Sequence, residues 1–275
     1  MHVISIQLRI IKWIAALIIT SLIALPILWI VLSSFKPADL ILIPRFWSDS
    51  WTIRHYYELI FETPYLQALR ASIILAIGTT IVTMMVVISS SYAVYRIEFP
   101  GKELVQKLMI ITYVFPGILL IIPIFELMAR FNLVDNFASV IIINVTFIAP
   151  FCVWLMRGFF KAVPITLDES AALDGAGHFR VLFSIILPLI RPGIATITIY
   201  SIIMAWTEFT FSSMLLTSDE TRPLPIAIHQ IMGQYTVRWG QTTAGGTLTI
   251  LPVIILFAFV GKHFIKGLTE GAIKE

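Results

Sequence analysis

A single charge interrupts the run from Pro192 to Ser218: Glu208, in Ala205-Trp206-Thr207-Glu208-Phe209. A carboxylate in hydrocarbon is costly, so it marks either a polar path or gate, or a structural carboxylate hydrogen-bonded between helices. The sequence leaves both readings open. A denser polar set reads ESAALDGAGHFRVLFSIILP, with Glu169, Ser170, Ala171, Ala172, Asp174 and Gly175, then Ile185, Leu187 and Pro188. Small residues in succession let a helix approach another protein closely. Glu169 in the first turn of such a helix suits its dipole, and Gly175 ends the helix because glycine reaches positive φ at little steric cost. This is the chemistry of docking rather than of bond making. The five histidines, at 2, 55, 178, 229 and 263, lack metal-ligand spacing. The sequence contains no H-E-x-x-H and no G-x-S-x-G, so metalloprotease and serine hydrolase chemistry lack support. It also contains no G-x-x-x-x-G-K-[ST], and nucleotide binding by a P-loop is excluded. The lone Cys152 sits in an apolar run and allows no intrachain disulfide.

The elements that carry these residues are set by hydropathy. The 275 residues are 58% apolar and only 13% charged, and the mean hydropathy is +0.92; a soluble domain has about 25% charged residues. Uncharged stretches run over Trp13–Phe35, Ala71–Tyr95, Leu108–Phe125, Asn136–Met156 and Trp239–Gly261, and Pro192–Ser218 is broken only by Glu208. About 20 apolar residues cross a bilayer as a helix, and only helices satisfy their own backbone at that depth. The prediction is an all-α polytopic membrane protein with six transmembrane helices. Arg9 and Lys12 would suit a signal peptide, but the run that follows is too long for one and no small-residue cleavage site ends it, so it is read as a retained helix.

With six spans, both termini share one side. That side would hold 12 of the 19 Lys and Arg, and the other side 7, which places both termini and the 160–190 loop in the cytoplasm. The 36–68 and 217–246 segments then lie outside. The first carries Trp47, Trp51, Tyr56, Tyr57, Phe61 and Tyr65, as expected of a segment along the membrane surface. The second holds Pro223, Pro225, Tyr235 and Trp239 and reads either as a surface for a partner or as an interfacial helix. Pro116-Gly117 and Pro123 interrupt the short third span, which marks a transport path or a plain proline kink. Tyr113, Trp206 and Glu208 are the candidate path residues. The net charge of +3 is scattered over loops, so no nucleic-acid face is expected.

The spacing Glu169-Ser170-Ala171, then Gly175, then Ile185-x-Leu187-Pro188 resembles the EAA loop that membrane subunits of ABC importers offer to their ATPases, with Ser170 where that family usually has Ala. Ser34-Phe35-Lys36-Pro37, Tyr92-Ala93 with Arg96 and Phe99-Pro100-Gly101, and Pro150 to Pro164 look like the carbohydrate branch, that of the smaller maltose-transporter subunit. The resemblance covers about Ser33 to the C-terminus. It implies a type I ABC importer permease (MetI-like) fold in one transmembrane domain over 1–275, with a family core at about 69–265, in a bacterial or archaeal inner membrane. It further implies a second homologous permease, two ATPase subunits that bind ATP and Mg, and a periplasmic or lipid-anchored solute-binding protein. The chain itself would bind no cofactor and would not be an enzyme. Glu169 would pair with a basic residue of the ATPase, Gly175 would form the turn, and Leu187-Pro188 would link to the fifth span. The tail Leu268–Glu275 would reach the ATPases.

The expected solute is a sugar or sugar derivative, since no Lys or Arg falls inside an apolar run where an anion would want one. The alternatives are a polyol, a glycerol-phosphate-like solute or a sulfonated sugar. A secondary carrier or channel, and an assembly subunit without a path, are further readings. A carrier would tolerate Glu169→Lys, and an assembly subunit would tolerate changes at Tyr113, Trp206 and Glu208.

Overall fold

A computed structural model describes residues 2–233 and 237–272, with side chains for residues 9, 11–233, 237–259 and 261. Tyr235 and the end of the tail, 273–275, lie outside the described residues. Regular structure among the described residues is helical throughout. The chain gathers into two compact units, Met1–Tyr65 with Ile228–Leu251, and Leu66–Ala227 with Pro252–Glu275.

In the first unit, α1 (His2–Ser33) is apolar all round beyond Lys12, and none of its most apolar window is buried. A helix with no polar face and no cover is one that lipid solvates. The chain after it winds around Lys36, which is 2% exposed. Its ammonium donates to the Arg45 carbonyl and lies 4.5 Å from the centre of the Trp29 ring, which partners a charge that burial would otherwise penalise. The short helix α2 (Arg54–Glu62) follows; its His55 ring is 2.9 Å from the Lys36 carbonyl and its Glu58 bonds Arg54 at 2.5 Å. The Arg54 hydrogen bond, foremost, lowers the Glu58 pKa.

The second unit carries α3 (Tyr65–Arg96), α4 (Lys102–Val114), a 3-10 turn at Gly117–Leu120, α5 (Ile121–Arg130) and α6 (Phe137–Ala162). The α6 helix starts on Asn136, whose side chain accepts from the Ala138 N–H at 2.9 Å, a standard capping bond. It is the central helix, with 56% of its apolar window buried. Next come α7 (Thr166–Leu173), then a helical stretch made of α8 (His178–Arg180), a π turn at Val181–Ile186 and α9 (Leu187–Leu189), and then α10 (Arg191–Trp206) and α11 (Thr210–Leu215). Leu224–Ile231 forms α12 and Trp239–Ala272 forms α13. Among the described residues, four helices are long and apolar enough to cross a membrane, and two bent pairs bring the count to six if each pair is one span.

Both bent pairs depart from the straight spans the sequence predicts. The third bends by 90° between α4 and the segment from Gly117. Pro116 sets the place of the break: it forces Phe115 out of the helical region, to ψ 127°. The fifth bends by 84° at Ile190, where Pro192 lacks the N–H that would continue the ladder and its ring crowds the preceding turn. Pro188 therefore stands inside the approaching helix, two residues before the handover. The α10 helix stops at Trp206 rather than running to Ser218. Gly193 lets it press on α6, since a Cβ there would lie 2.7 Å from the Phe159 ring. Close backbone approach of this kind is how helices pack in lipid, where apolar burial drives little.

One cluster of buried side chains joins Val87 and Tyr92 of α3, Met156 and Phe160 of α6, Ala171 of α7, Ile186 and Ile197. Another joins Leu75, Met128, Val140, Phe211 and Leu215. Beside the second, the turn before α6 is tied to the segment after α11. Asp135, at φ 58°, accepts from Thr217 N (2.9 Å), Ser218 N (3.1 Å) and Thr221 Oγ1 (2.5 Å), and its own N–H donates to Leu215 O (2.7 Å). The Thr221 hydroxyl, foremost, pulls the Asp135 pKa down to about 2.

Candidate functional site

The site is built on α7. Asp168 and Glu169 lie in its first turn, where the dipole favours carboxylates. Ala171 is the residue that faces inward, 7% exposed and part of the first core cluster. Glu169, Ser170, Ala172 and Asp174 are exposed, and Leu173 is 91% exposed. The Ser170 hydroxyl donates to Thr166 O at 2.8 Å, so it is spent on its own helix. The helix ends in two bonds, Gly175 N–H to Ala172 O (3.0 Å) and Ala176 N–H to Ala171 O (2.9 Å). That is the Schellman arrangement, and Gly175 takes φ 77° in it. The turn leads into the stretch that carries exposed Phe179 (82%), partly buried Leu187 and exposed Pro188.

The end of α3 holds α7 from behind. Tyr92, Tyr95 and Arg96 fall three and four residues apart and so share a helix face. The Arg96 guanidinium donates to Phe160 O (3.1 Å) and Val163 O (2.7 Å), the last carbonyls around the end of α6. Its Nε lies 3.6 Å from a carboxylate oxygen of Asp168, with the side chains 7% and 17% exposed. Tyr95 donates to Val153 O (3.0 Å), and the Tyr92 hydroxyl is 3.2 Å from His178 Nδ1. One helix end thus fastens the end of α6, the start of α7 and the start of α8. Reading the sequence alone missed Arg96, Asp168 and His178 as parts of this site. The available signal was three polar-tipped residues at Tyr92, Tyr95 and Arg96 on one face of an apolar helix.

The path candidates separate. Tyr113 joins an aromatic group, stacked 5.0 Å from Phe151, which lies 4.7 Å from Tyr200 and 5.8 Å from Trp154. At about 1.5 Å rise per residue, Tyr113 lies some 17 Å along α4 from Lys102. Trp206 is buried at the far end of α10, about 23 Å from Arg191 by the same rise. Glu208 lies in the break after α10 and accepts from Phe211 N (2.7 Å), Ser212 N (2.8 Å) and the Ser212 hydroxyl. It caps α11 within its own segment instead of bridging two spans, and the end of α10 is what frees it to do so.

Comparison with known proteins agrees with this architecture. Residues 85–270 match the family described as "Binding-protein-dependent transport system inner membrane component". The inner membrane ABC transporter permease protein YcjP of Escherichia coli K12 is 28% identical over 253 residues, covering 90% of each chain. The trehalose transport system permease protein SugB of Mycobacterium tuberculosis is 29% identical over 252 residues, covering 91% of this chain and 92% of its own. A chain of a bacterial ABC transporter involved in import of the acidic polysaccharide alginate superposes with a TM-score of 0.80 at 23% identity, over 93% of this chain and 97% of that one. The family match spans two thirds of the chain and takes in α7, its Gly175 turn and the helices that hold them. The chain therefore belongs to the family of inner membrane components of binding-protein-dependent transport systems: it is a multi-pass ABC importer permease subunit.

Proposed function

We propose that this subunit moves a sugar or sugar derivative, delivered by a periplasmic or lipid-anchored solute-binding protein, and that α7 couples it to ATP hydrolysis on partner subunits. The observation that carries the coupling reading is the two-sidedness of α7. Ala171 and Asp168 attach it to the bundle through the core cluster and Arg96, while Glu169, Ser170, Ala172 and Leu173 face outward. A helix so held transmits a push on its outer face to the ends of α3 and α6 together. In this reading Glu169 is the electrostatic anchor for an ATPase, Leu173 is an apolar contact, and Gly175 with Leu187 and Pro188 forms the link to α10.

The assembly is a heterodimer with a homologous permease, two ATPases carrying ATP and Mg, and lipid around it; this chain holds no cofactor of its own and takes no nucleic acid. Both termini are cytoplasmic. The sugar assignment draws on the absence of Lys and Arg inside the apolar runs and on the trehalose relative's name. Tyr113, with Phe151 and Tyr200, offers ring faces and hydroxyls at mid-depth, where a pyranose could stack and hydrogen-bond. Trp206 and Glu208 shape the outer end of the path, Glu208 by holding α11.

The test is affinity purification of the tagged chain in mild detergent. Recovery of a P-loop ATPase and a second six-span permease supports the proposal. A chain that purifies alone and transports without ATP refutes it in favour of a carrier or channel.

A further inference from the structure

Beside Arg96, a cavity of 380 Å³ opens between the end of α3, the start of α4 and the end of α6, lined among others by Arg96, Lys102, Gln106, Arg157 and Lys161. Two of its four cations have carboxylate partners: Arg96 is 3.6 Å from Asp168, and Lys102 is 2.8 Å from Glu98. Arg157 and Lys161 make no ion pair among the described residues. They sit four residues apart on α6, a spacing at which like charges repel. The Arg96 side chain is 7% exposed and its Nε has no hydrogen-bond partner. The cavity also takes in the first turn of α4, the positive end of that helix's dipole. Among the described residues, two positive charges thus have no carboxylate partner in a concave, partly polar site, which is the electrostatic description of an anion site.

Position selects the anion. The cavity lies where α3 and α6 end and α4 begins, at the polar edge of their apolar runs, which is where headgroups meet such helices. Along α4 above it Leu104 and Leu108 are exposed, and on α6 Trp154, three residues before Arg157, is 52% exposed. Tryptophan is favoured at the headgroup boundary, and exposed leucines suit acyl chains. Basic pockets between membrane helices hold headgroup phosphates in this way.

We propose that this cavity binds the headgroup phosphate of an acidic phospholipid, with Arg157 and Lys161 as the two cations it neutralises. The test is native mass spectrometry of the intact importer, titrated with phosphatidylglycerol or phosphatidylcholine. Each cation near the surface contributes about fivefold in affinity. Arg157→Gln with Lys161→Gln should therefore weaken phosphatidylglycerol about 25-fold and leave phosphatidylcholine unchanged. The charge-keeping pair Arg157→Lys with Lys161→Arg should bind within about twofold of the parent. Both side chains are exposed, so neither change empties the core, and a thermal melt checks the fold. Parent-like phosphatidylglycerol affinity in the double Gln variant overturns the proposal. So does displacement of the lipid by inorganic phosphate at equal concentration, which assigns the site to a soluble anion. Unchanged lipid binding with loss of a partner subunit also overturns it, by assigning the cations to a protein carboxylate.

Discussion

Gly175 closes α7 at φ 77°, and a Cβ built there meets nothing within 4 Å. Replacement by Ala therefore costs dihedral strain without a clash, about 1–2 kcal/mol for an L-residue in the left-handed region; Asn tolerates that region better. A strain of that size shifts the balance between closed and opened turn by about five- to thirtyfold. Two amides report it directly, those of Gly175 and Ala176, which bond Ala172 O and Ala171 O. In Gly175→Ala, hydrogen exchange at positions 175 and 176 should accelerate five- to thirtyfold after correction for intrinsic rates. Gly175→Asn should give a smaller acceleration, and the amides of α6 should keep parent rates. ATP-driven uptake should fall in the same order. Unchanged exchange in Gly175→Ala would show that the turn does not depend on its dihedral. Acceleration spreading into α6 would show that the strain is not confined to the loop.

Asp135→Ala removes three hydrogen bonds to a half-exposed carboxylate and should cost about 2 kcal/mol, seen as a lower melting temperature. Because its folded pKa is lowered to about 2 from 3.8, the Asp135 contribution is complete above pH about 4 and is lost as pH falls toward 2; Asp135→Asn should flatten that part of the stability profile. Arg96→Gln should destabilise by about 3 kcal/mol, since it strands a largely buried Asp168 and frees two carbonyls. Asp168→Asn should cost about 1 kcal/mol, and the double change less than the sum; equal and additive effects would dismiss the clasp. Glu208→Gln halves the acceptor capacity of the α11 cap. It should cost about 1 kcal/mol of stability while keeping the solute profile, which a binding assay on a panel of sugars checks.

The apolar helices and the short helix before Gly175 were legible because their signals are local. Apolar run length and the Glu169–Pro188 spacing each sit within one stretch of chain. Gly175 was legible for the same reason, as a helix end followed by a required positive φ. The bends were half legible: Pro116 and Pro192 mark the places, but proline alone does not give a 90° or 84° turn, which depends on what packs against each arm. The clasps were not legible. Arg96 and Asp168 are 72 residues apart in the numbering, Asp135 and Thr221 are 86 apart, and only the fold brings each pair together. Glu208 was singled out as an isolated charge, yet its partners are its own neighbours at 211 and 212, visible only once α10 ends at Trp206.

In the proposed function the outer face of α7 carries the work of ATP hydrolysis into the bundle. The most direct test is solute accumulation by the purified complex in proteoliposomes, with and without ATP, for the parent and for Glu169→Lys. The expected result is ATP-dependent accumulation by the parent, and its loss in Glu169→Lys while α3 and α6 keep parent hydrogen-exchange protection. Accumulation that needs no ATP, or that survives Glu169→Lys undiminished, would contradict it.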